Sequence, residues 1–372
     1  MKFSIDRAAL LRALNHVQSV VEKRNTIPIL SNVLMRAEDG VLSMATTDMD
    51  LEMNEAVAAD VSKPGATTAP AHTLHDIVRK MPDGAKIEIE VSDDGHSMQV
   101  RGGRSNFRLA CLPISDFPEL GLGDLPTTFS IPAAELRALI DRTKFAMSTE
   151  ETRYYLNGIY VHAADADGIP VLRAVATDGH RLARFEMPIP EGAKDMPGVI
   201  VPRKAVNEIR RLLEEAADQI SISLSENKIR FAFDHIVLTS KLIDGTFPDY
   251  NRVIPVGNDK MIEVDPKVFT QAIDRVSTIS DGKSRAVKIQ LNGKTMTLSA
   301  NSAESGSAME DIEVNSEAPN IEIGFNAKYL LDITSQVSGD GCRMEMADPA
   351  SPTIIQDTSD SSALYVLMPL RV

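Results

Sequence analysis

Phe129-Ser130-Ile131-Pro132 runs into Ala133, Ala134, Leu136 and Leu139, a short alternating stretch followed by apolar residues at helical spacing. The same opening stands 126 residues earlier, as Phe3-Ser4-Ile5-Asp6 with Ala8, Ala9, Leu10 and Leu11. It stands again 133 residues later, as Ile262-Glu263-Val264-Asp265-Pro266 with Val268, Phe269 and Ile273. Each reads as a strand leading into a helix, with Asp6 at an N-cap and Pro132 and Pro266 in first-turn positions. About 70 residues on, a second helix recurs: Leu74-His75-Asp76-Ile77, Val206-Asn207-Glu208-Ile209 and Leu330-Leu331-Asp332-Ile333. Alternating stretches follow at Lys86–Val91, Gln219–Leu224 and Arg343–Met346, and period two means strands with one buried face. Gly40–Met44, Ile159–His162 and Met296–Ser299 carry further strand signals.

The chain is therefore a threefold repeat. Phe117-Pro118 and Phe247-Pro248 close the first two units, and Pro-, Gly- and Asp-rich stretches follow them. The expected domains are 1–120, 128–250 and 251–372. The fold class is α+β, each domain holding two helices packed on antiparallel sheets.

The 372 residues carry 39 Lys and Arg against 53 Asp and Glu, a net charge of -14. Such a balance argues against coating nucleic acid or anionic membrane through overall charge. The two cysteines, Cys111 and Cys342, form no CxxC unit, so a zinc site or disulfide framework is not expected and a reducing, cytoplasmic setting fits. Met1–Asp6 meets a charge before an apolar run can build, so no signal peptide is expected. No apolar run approaches the length of a membrane span.

Catalytic motifs are scarce. Gly282-Lys283-Ser284 lacks the earlier glycine of a phosphate loop, since Ser277 occupies that position, and reads as a polar turn. Thr177-Asp178-Gly179-His180-Arg181 is the densest polar cluster. A His beside an Asp suits a general base, but no G-x-S-x-G elbow exists for it to serve. The plainer reading is an Asp-Gly turn with His180 and Arg181 at a surface. His72 and His75 lie at helical spacing without an HExxH or completing ligands, and read as solvated helix-face residues. No metal or cofactor is expected.

The positive charge is concentrated. The six helical stretches, taken as Arg7–Arg24, Ala71–Lys80, Ala133–Lys144, Arg203–Leu213, Pro266–Val276 and Asn326–Thr334, hold sixteen Lys and Arg against seven Asp and Glu. Extending the fourth through Asp218 adds three acids and leaves the sign unchanged. Basic helices in an acidic shell suggest a surface that meets phosphates rather than bases.

Several motifs then stand in register along residues 1 to 372. They include Thr26-Ile27-Pro28-Ile29-Leu30, Asp116-Phe117-Pro118, Arg153-Tyr154-Tyr155-Leu156-Asn157-Gly158, Ala176–Leu182 and Val201-Pro202-Arg203-Lys204. Phe247-Pro248-Asp249-Tyr250, Ile323-Gly324-Phe325-Asn326 and Met368-Pro369-Leu370-Arg371 complete the set. By these the chain resembles the bacterial sliding clamps, the β subunits of DNA polymerase III. The resemblance implies three DNA-clamp domains per chain and a head-to-tail homodimeric ring. Twelve helices about 10 Å across then give a circle of axes ~120 Å around and a bore of roughly 28 Å, which passes duplex DNA loosely.

It further implies a non-catalytic processivity factor on double-stranded DNA. The implied partners are the polymerase III α subunit, the clamp loader, other polymerases and repair proteins. Implied DNA contacts are Arg24, His72, Thr149, Glu150, Tyr154, Tyr155, Arg203 and Lys204. His72 stands where the best-known enterobacterial member has a basic residue, and Thr149 and Glu150 stand near its His-Gln pair. The implied partner-peptide pocket comprises Leu156, Thr177, Gly179, His180, Arg181, Leu182, Pro248, Arg252, Val253, Val366, Met368, Pro369, Leu370 and Arg371. Phe107 and Ile279 mark the implied dimer seam, rimmed by Arg104, Arg108, Asp281 and Lys283. The competing functions are an enzyme using Asp178 and His180, and a repeat scaffold that binds proteins but not DNA.

Overall fold

The computed structural model describes residues 1–121, 123–216, 218–280 and 285–371. Among the described residues six α-helices recur in the expected places: α1 (Arg7–Val17), α2 (Ala71–Lys80), α3 (Ala133–Asp141), α4 (Arg203–Leu212), α5 (Pro266–Ser277) and α6 (Ala327–Thr334). Asp265 caps α5, its carboxylate accepting from Lys267 N and Val268 N at 2.8 and 3.0 Å. Pro266 occupies the first turn as expected, whereas Pro132 ends the preceding strand, and Asp6 sits at the N-cap position of α1 without a side-chain bond. The first helix stops at Val17, seven residues short of Arg24. Ser19 Oγ takes the His16 carbonyl at 2.7 Å, and Gln18–Val20 tightens into a 3₁₀ turn. Arg24 therefore lies beyond the helix, in the exposed segment that follows it.

Chain packing forms two compact units, Met1–Arg137 with Pro190–Pro197 and Lys204–Leu242, and Ala138–Ile189 with Gly198–Arg203 and Ile243–Val372. The first holds two sheets. One runs β5 (Asp60–Lys63), β1 (Lys2–Asp6), β7 (Lys86–Val91), β8 (Ser97–Gly102), β9 (Ser105–Ala110). The other runs β10 (Thr127–Pro132), β15 (Gln219–Leu224), β16 (Lys228–Phe233), β17 (Ile236–Lys241), β4 (Leu51–Ala58), β3 (Val41–Thr47), β2 (Asn32–Glu38), β6 (Gly65–Pro70). The second unit has a nine-stranded sheet, β14 (Val199–Pro202), β11 (Gly158–Ala166), β12 (Ile169–Thr177), β13 (Arg181–Pro188), β26 (Ala363–Leu367), β25 (Thr353–Asp357), β24 (Cys342–Met346), β18 (Lys260–Val264), β22 (Asn315–Ser316). Its four-stranded sheet is β21 (Gly306–Glu313), β20 (Thr295–Ser302), β19 (Ala286–Asn292), β23 (Ile321–Asn326).

The long sheets arise because an edge strand of one repeat pairs antiparallel with an edge strand of the next: β17 with β4, Ile236 opposite Glu55, and β13 with β26, Arg181 opposite Leu367. Joining edges removes the unpaired N–H and C=O groups that each repeat would otherwise expose. The period-two stretches behave as read, with Ile87, Ile89, Ile220, Ile222, Met344 and Met346 all buried. Both cysteines are buried and unpaired, and burial pushes the Cys342 thiol up to about 12.

One buried polar contact ties the first two repeats together inside the first unit. His16 on α1 is 2 % exposed. Its Nδ1 lies 2.8 Å from Glu55 Oε2 on β4, and its Nε2 lies 3.3 Å from Glu215 Oε1, which follows α4. Arg12 Nε donates to the other Glu215 oxygen at 2.8 Å. Burial pulls the imidazolium down, but the two carboxylates together outweigh it and hold its pKa above the ordinary histidine value. A raised folded-state pKa contributes stability that is complete below the ordinary value of about 6.5 and is lost as pH rises through the folded one. The stability gap between the wild type and His16→Gln is therefore expected to be widest below pH ~6.5 and to narrow above it, read by urea denaturation across pH. A gap independent of pH would contradict this charge assignment.

Candidate partner-binding site and nucleic-acid contacts

The Thr177–Leu182 turn joins β12 to β13, and its polar residues fold it. Thr177 Oγ1 donates to the Arg181 carbonyl at 2.7 Å and accepts from Gly179 N at 3.1 Å. Asp178 Oδ1 accepts from the backbone N–H groups of His180 and Arg181 at 2.9 and 3.1 Å. Gly179 has φ +87°, a left-handed conformation that favours glycine, while the one close neighbour of a Cβ there, Arg153 Nη1 at 2.7 Å, is the movable end of a long side chain. Asp178 is thus a turn-former engaged by backbone and by Arg181, not half of an acid–base pair with the His180 ring.

Arg181 is not a surface residue as the sequence suggested. It is 8 % exposed. Its guanidinium donates to Asp178 Oδ2 (3.1 Å), Asp332 Oδ2 (2.5 Å) and the Phe145 carbonyl (2.6 Å). It also lies 4.3 Å from the Tyr329 ring centroid, and His180 stacks on that same ring at 6.1 Å. A charged group sinks this far only with its donors matched. Tyr329 and Asp332 were missed in the sequence. Their signal was an i, i+3 pair on α6 off the apolar face of Leu330 and Ile333.

Around this turn the predicted pocket residues converge in the second unit. Leu156, Leu182 and Val366 belong to one apolar cluster with Val175, Ile200, Phe247, Tyr250, Ile354 and Leu364. Pro248, Arg252 and Val253 flank Phe247 and Tyr250 and are exposed, Val253 at 48 %. The tail closes the site: Met368 N donates to His180 O at 2.9 Å, and Leu370 N to Gly324 O at 2.8 Å. Met368 is 40 % exposed, Pro369 and Leu370 are half-buried, and Arg371 is exposed. Apolar walls, a flexible methionine and a few oriented polar groups suit a short, partly apolar peptide. Val372 lies outside the described residues.

The proposed DNA contacts divide by unit. In the first, the Val20–Arg24 segment meets both His72, whose Nε2 is 2.9 Å from Val21 O, and Lys204, whose Nζ is 3.3 Å from Val20 O. The helix-face histidines are not solvated as expected. His72 also bonds Gln18 at 3.0 Å, and the buried His75 bonds Asn15 Oδ1 at 2.6 Å, because both face α1 and the turn after it. Lys204 is ion-paired to Asp48 and, at 3.5 Å, to Glu22.

In the second unit, Thr149, Glu150, Tyr154 and Tyr155 share the loop that Ser148 N and Leu156 O close at 3.0 Å. Glu150 pairs with Arg153 at 3.2 Å, and Tyr154, 53 % exposed, meets Tyr155 edge-on at 5.7 Å. Arg203 donates to the Met147 and Ser148 carbonyls at 2.7 and 2.8 Å, and burial lowers its pKa. Its head group holds the base of that loop and is not free for phosphate. Arg203→Ala is therefore expected to cost about 1.5–3 kcal/mol of stability and leave the slope of log K against log salt unchanged. Lys204→Ala is expected to reduce that slope by about one, both variants being read by DNA binding across a salt series. A slope that falls for Arg203→Ala and not for Lys204→Ala would reverse the two roles.

Phe107 projects from β9, an edge strand with no further partner among the described residues. Ile279 is half-buried just past α5. The rim residues Asp281 and Lys283, like Gly282-Lys283-Ser284 as a whole, lie outside the described residues.

Family models of the DNA polymerase III beta subunit match three consecutive segments: the N-terminal domain over residues 1–121, the central domain over 130–249 and the C-terminal domain over 251–371. The beta sliding clamp of Caulobacter vibrioides is 52 % identical over 372 residues, covering 100 % of both chains. That of Escherichia coli K12 is 39 % identical over 375 residues, again covering 100 % of both. Among solved structures, the sliding clamp of Bartonella birtlesii bound to griselimycin superposes with a TM-score of 0.97 at 48 % identity, covering 100 % of both chains. The C. crescentus clamp with polyethylene glycol at a putative beta-motif tethering region gives 0.98 at 52 % identity, covering 100 % of this chain and 99 % of that one.

Proposed function

The chain belongs to the DNA polymerase III beta subunit family, the sliding clamps, and from that premise we propose that two copies close head to tail around duplex DNA and carry partners on the pocket beside His180. It is a non-catalytic clamp that tethers polymerase. Residues 1–120, 128–250 and 251–372 form its three domains, and the ring places their helices around the DNA. Retention is topological, so a net charge of -14 is no obstacle. Loose, water-mediated phosphate contacts from Arg24, Lys204 and the Thr149–Tyr155 loop let the ring slide, whereas both ring nitrogens of His72 are taken up inside the protein.

The DNA polymerase III α subunit, the clamp loader, other polymerases and repair proteins take turns at the pocket, in the cytoplasm. No helix among the described residues is long and apolar enough to cross a membrane. The observation that carries the docking reading is the convergence of Leu156, Leu182 and Val366 under the Thr177–Arg181 turn and the Met368 tail. Two relatives have been solved with griselimycin bound, which makes it a suitable probe. Calorimetric titration is expected to show one griselimycin site per chain. A chain that binds none would refute the docking reading.

A further inference from the structure

One face of the nine-stranded sheet carries a row of polar residues beside the pocket floor. His162 on β11 lies opposite Arg173 on β12, and Arg173 lies opposite Glu186 on β13. Two rows along, the same face holds Thr177, Leu182 and Val366 of the pocket. The segment from Ile243 to Ile254 packs over this face through Phe247 and Tyr250, which belong to the apolar cluster. Phe247 stacks on Tyr160 at 4.9 Å and 9°. Tyr250 opens the 3₁₀ turn Tyr250–Arg252, and Val253 N closes it on Tyr250 O at 3.1 Å. Wherever Tyr250 sits, Pro248, Arg252 and Val253 go with it, and these form one wall of the pocket.

The Tyr250 hydroxyl is held in a hydrogen-bond chain with one consistent direction. Arg173 Nη1 lies 2.9 Å from Tyr250 Oη and is donor only. His162 Nδ1 lies 2.9 Å from the Ala163 carbonyl, which only accepts, so Nδ1 carries the proton. In the neutral ring Nε2 then accepts, and Tyr250 donates to it at 3.0 Å. Arg173 is fixed in turn by Glu186, its Nε lying 2.6 Å from Oε1.

We propose that the Arg173–Tyr250–His162 chain is a positioning device for the partner pocket, which fixes the Pro248–Val253 wall and makes partner affinity depend on a neutral His162. The inference rests on the docking reading given above. Tyr250 and His162 are positioning residues, since neither is among the exposed residues of the wall. The groups facing His162 are Arg173 on β12, Glu186 on β13, Tyr160 stacked on it at 4.6 Å, and Tyr250. Burial, and then the Arg173 charge, depress its pKa below the ordinary value, so the ring is neutral near pH 7. Protonation places a second donor against Tyr250 Oη, where Arg173 already donates, and adds charge beside the Arg173 guanidinium.

The test is calorimetric titration with griselimycin from pH 8 to pH 5. Tyr250→Phe is expected to bind about tenfold more weakly at pH 7.5, the size of one buried hydrogen bond. His162→Gln keeps an acceptor at the Nε2 position and is expected to bind within about threefold of wild type, whereas His162→Phe falls with Tyr250→Phe. Wild-type affinity is expected to hold down to pH ~6.5 and fall below it. His162→Gln is expected to lose that fall. Melting curves and dimer content confirm that each variant is folded. Wild type and Tyr250→Phe binding equally, with one pH profile, would overturn the positioning chain alone. Failure of the wild type to bind griselimycin would overturn the docking reading and the inference with it.

Discussion

A chain ending at Leu367 is expected to lose griselimycin binding altogether while remaining a folded dimer. Strand β26 ends at that residue and stays paired on both sides, with β13 and β25. The truncation removes two backbone bonds in the described tail, Met368 N to His180 O and Leu370 N to Gly324 O. At about 0.5–1.5 kcal/mol each, their loss is small beside the stability of a chain of this size. The pocket loses far more. In the docking reading Met368, Pro369 and Leu370 supply one of its walls, and the His180 carbonyl loses its tether. Partner docking and ring closure are thus separable by five residues. A truncated chain that binds the probe with unchanged affinity would place the pocket elsewhere.

Phe107→Ala with Ile279→Ala is expected to convert the dimer to monomer at sub-micromolar concentration, read by sedimentation. The argument is one of strand pairing. The sheets that join successive repeats have eight and nine strands, but the first and third repeats keep sheets of five and four. Each keeps an edge strand with an exposed apolar side chain: β9, opposite the β5 edge, carries Phe107 at 40 % exposure, and β21, opposite the β23 edge, carries Met309. Bare apolar edges invite pairing with another chain. Pairing β9 of one protomer with β21 of its partner would build a nine-stranded sheet like the one inside the chain. Arg104 and Arg108 beside Phe107 suit a polar rim. A double variant that remains dimeric at that concentration would remove Phe107 and Ile279 from the seam.

The repeat was legible because it rests on local periodicity. Ala71–Lys80, Lys86–Val91 and Gln219–Leu224 were readable to the residue, each having one apolar face. The joined sheets were not. Pairing of β17 with β4 is set by edges nearly two hundred residues apart, and no local pattern encodes that register. The same distance hid which charges are internal. Arg181 read as a surface residue, Arg203 as a DNA contact implied by the family resemblance, and His75 as a solvated helix-face residue. Their partners, Asp332, Met147 and Asn15, lie 151, 56 and 60 positions away. The pocket residues came from the family resemblance, and the turn at Thr177–Arg181 was the one part that the sequence marked by itself. The hydrogen-bond chain through Tyr250 carried no sequence signal, since His162, Arg173 and Glu186 align only once three strands are in register.

Retention on nicked circular DNA tests encirclement most directly. The protein is loaded on the circle by its clamp loader, and the mixture is passed through a sizing column in high salt. A closed ring is expected to stay with the circle, because salt screens phosphate contacts but cannot open a topological link. Cutting the circle once, away from the nick, is expected to release it. Protein that elutes free of the intact circle, or that stays bound equally well after linearisation, would contradict encirclement and leave adhesion or protein scaffolding as the function.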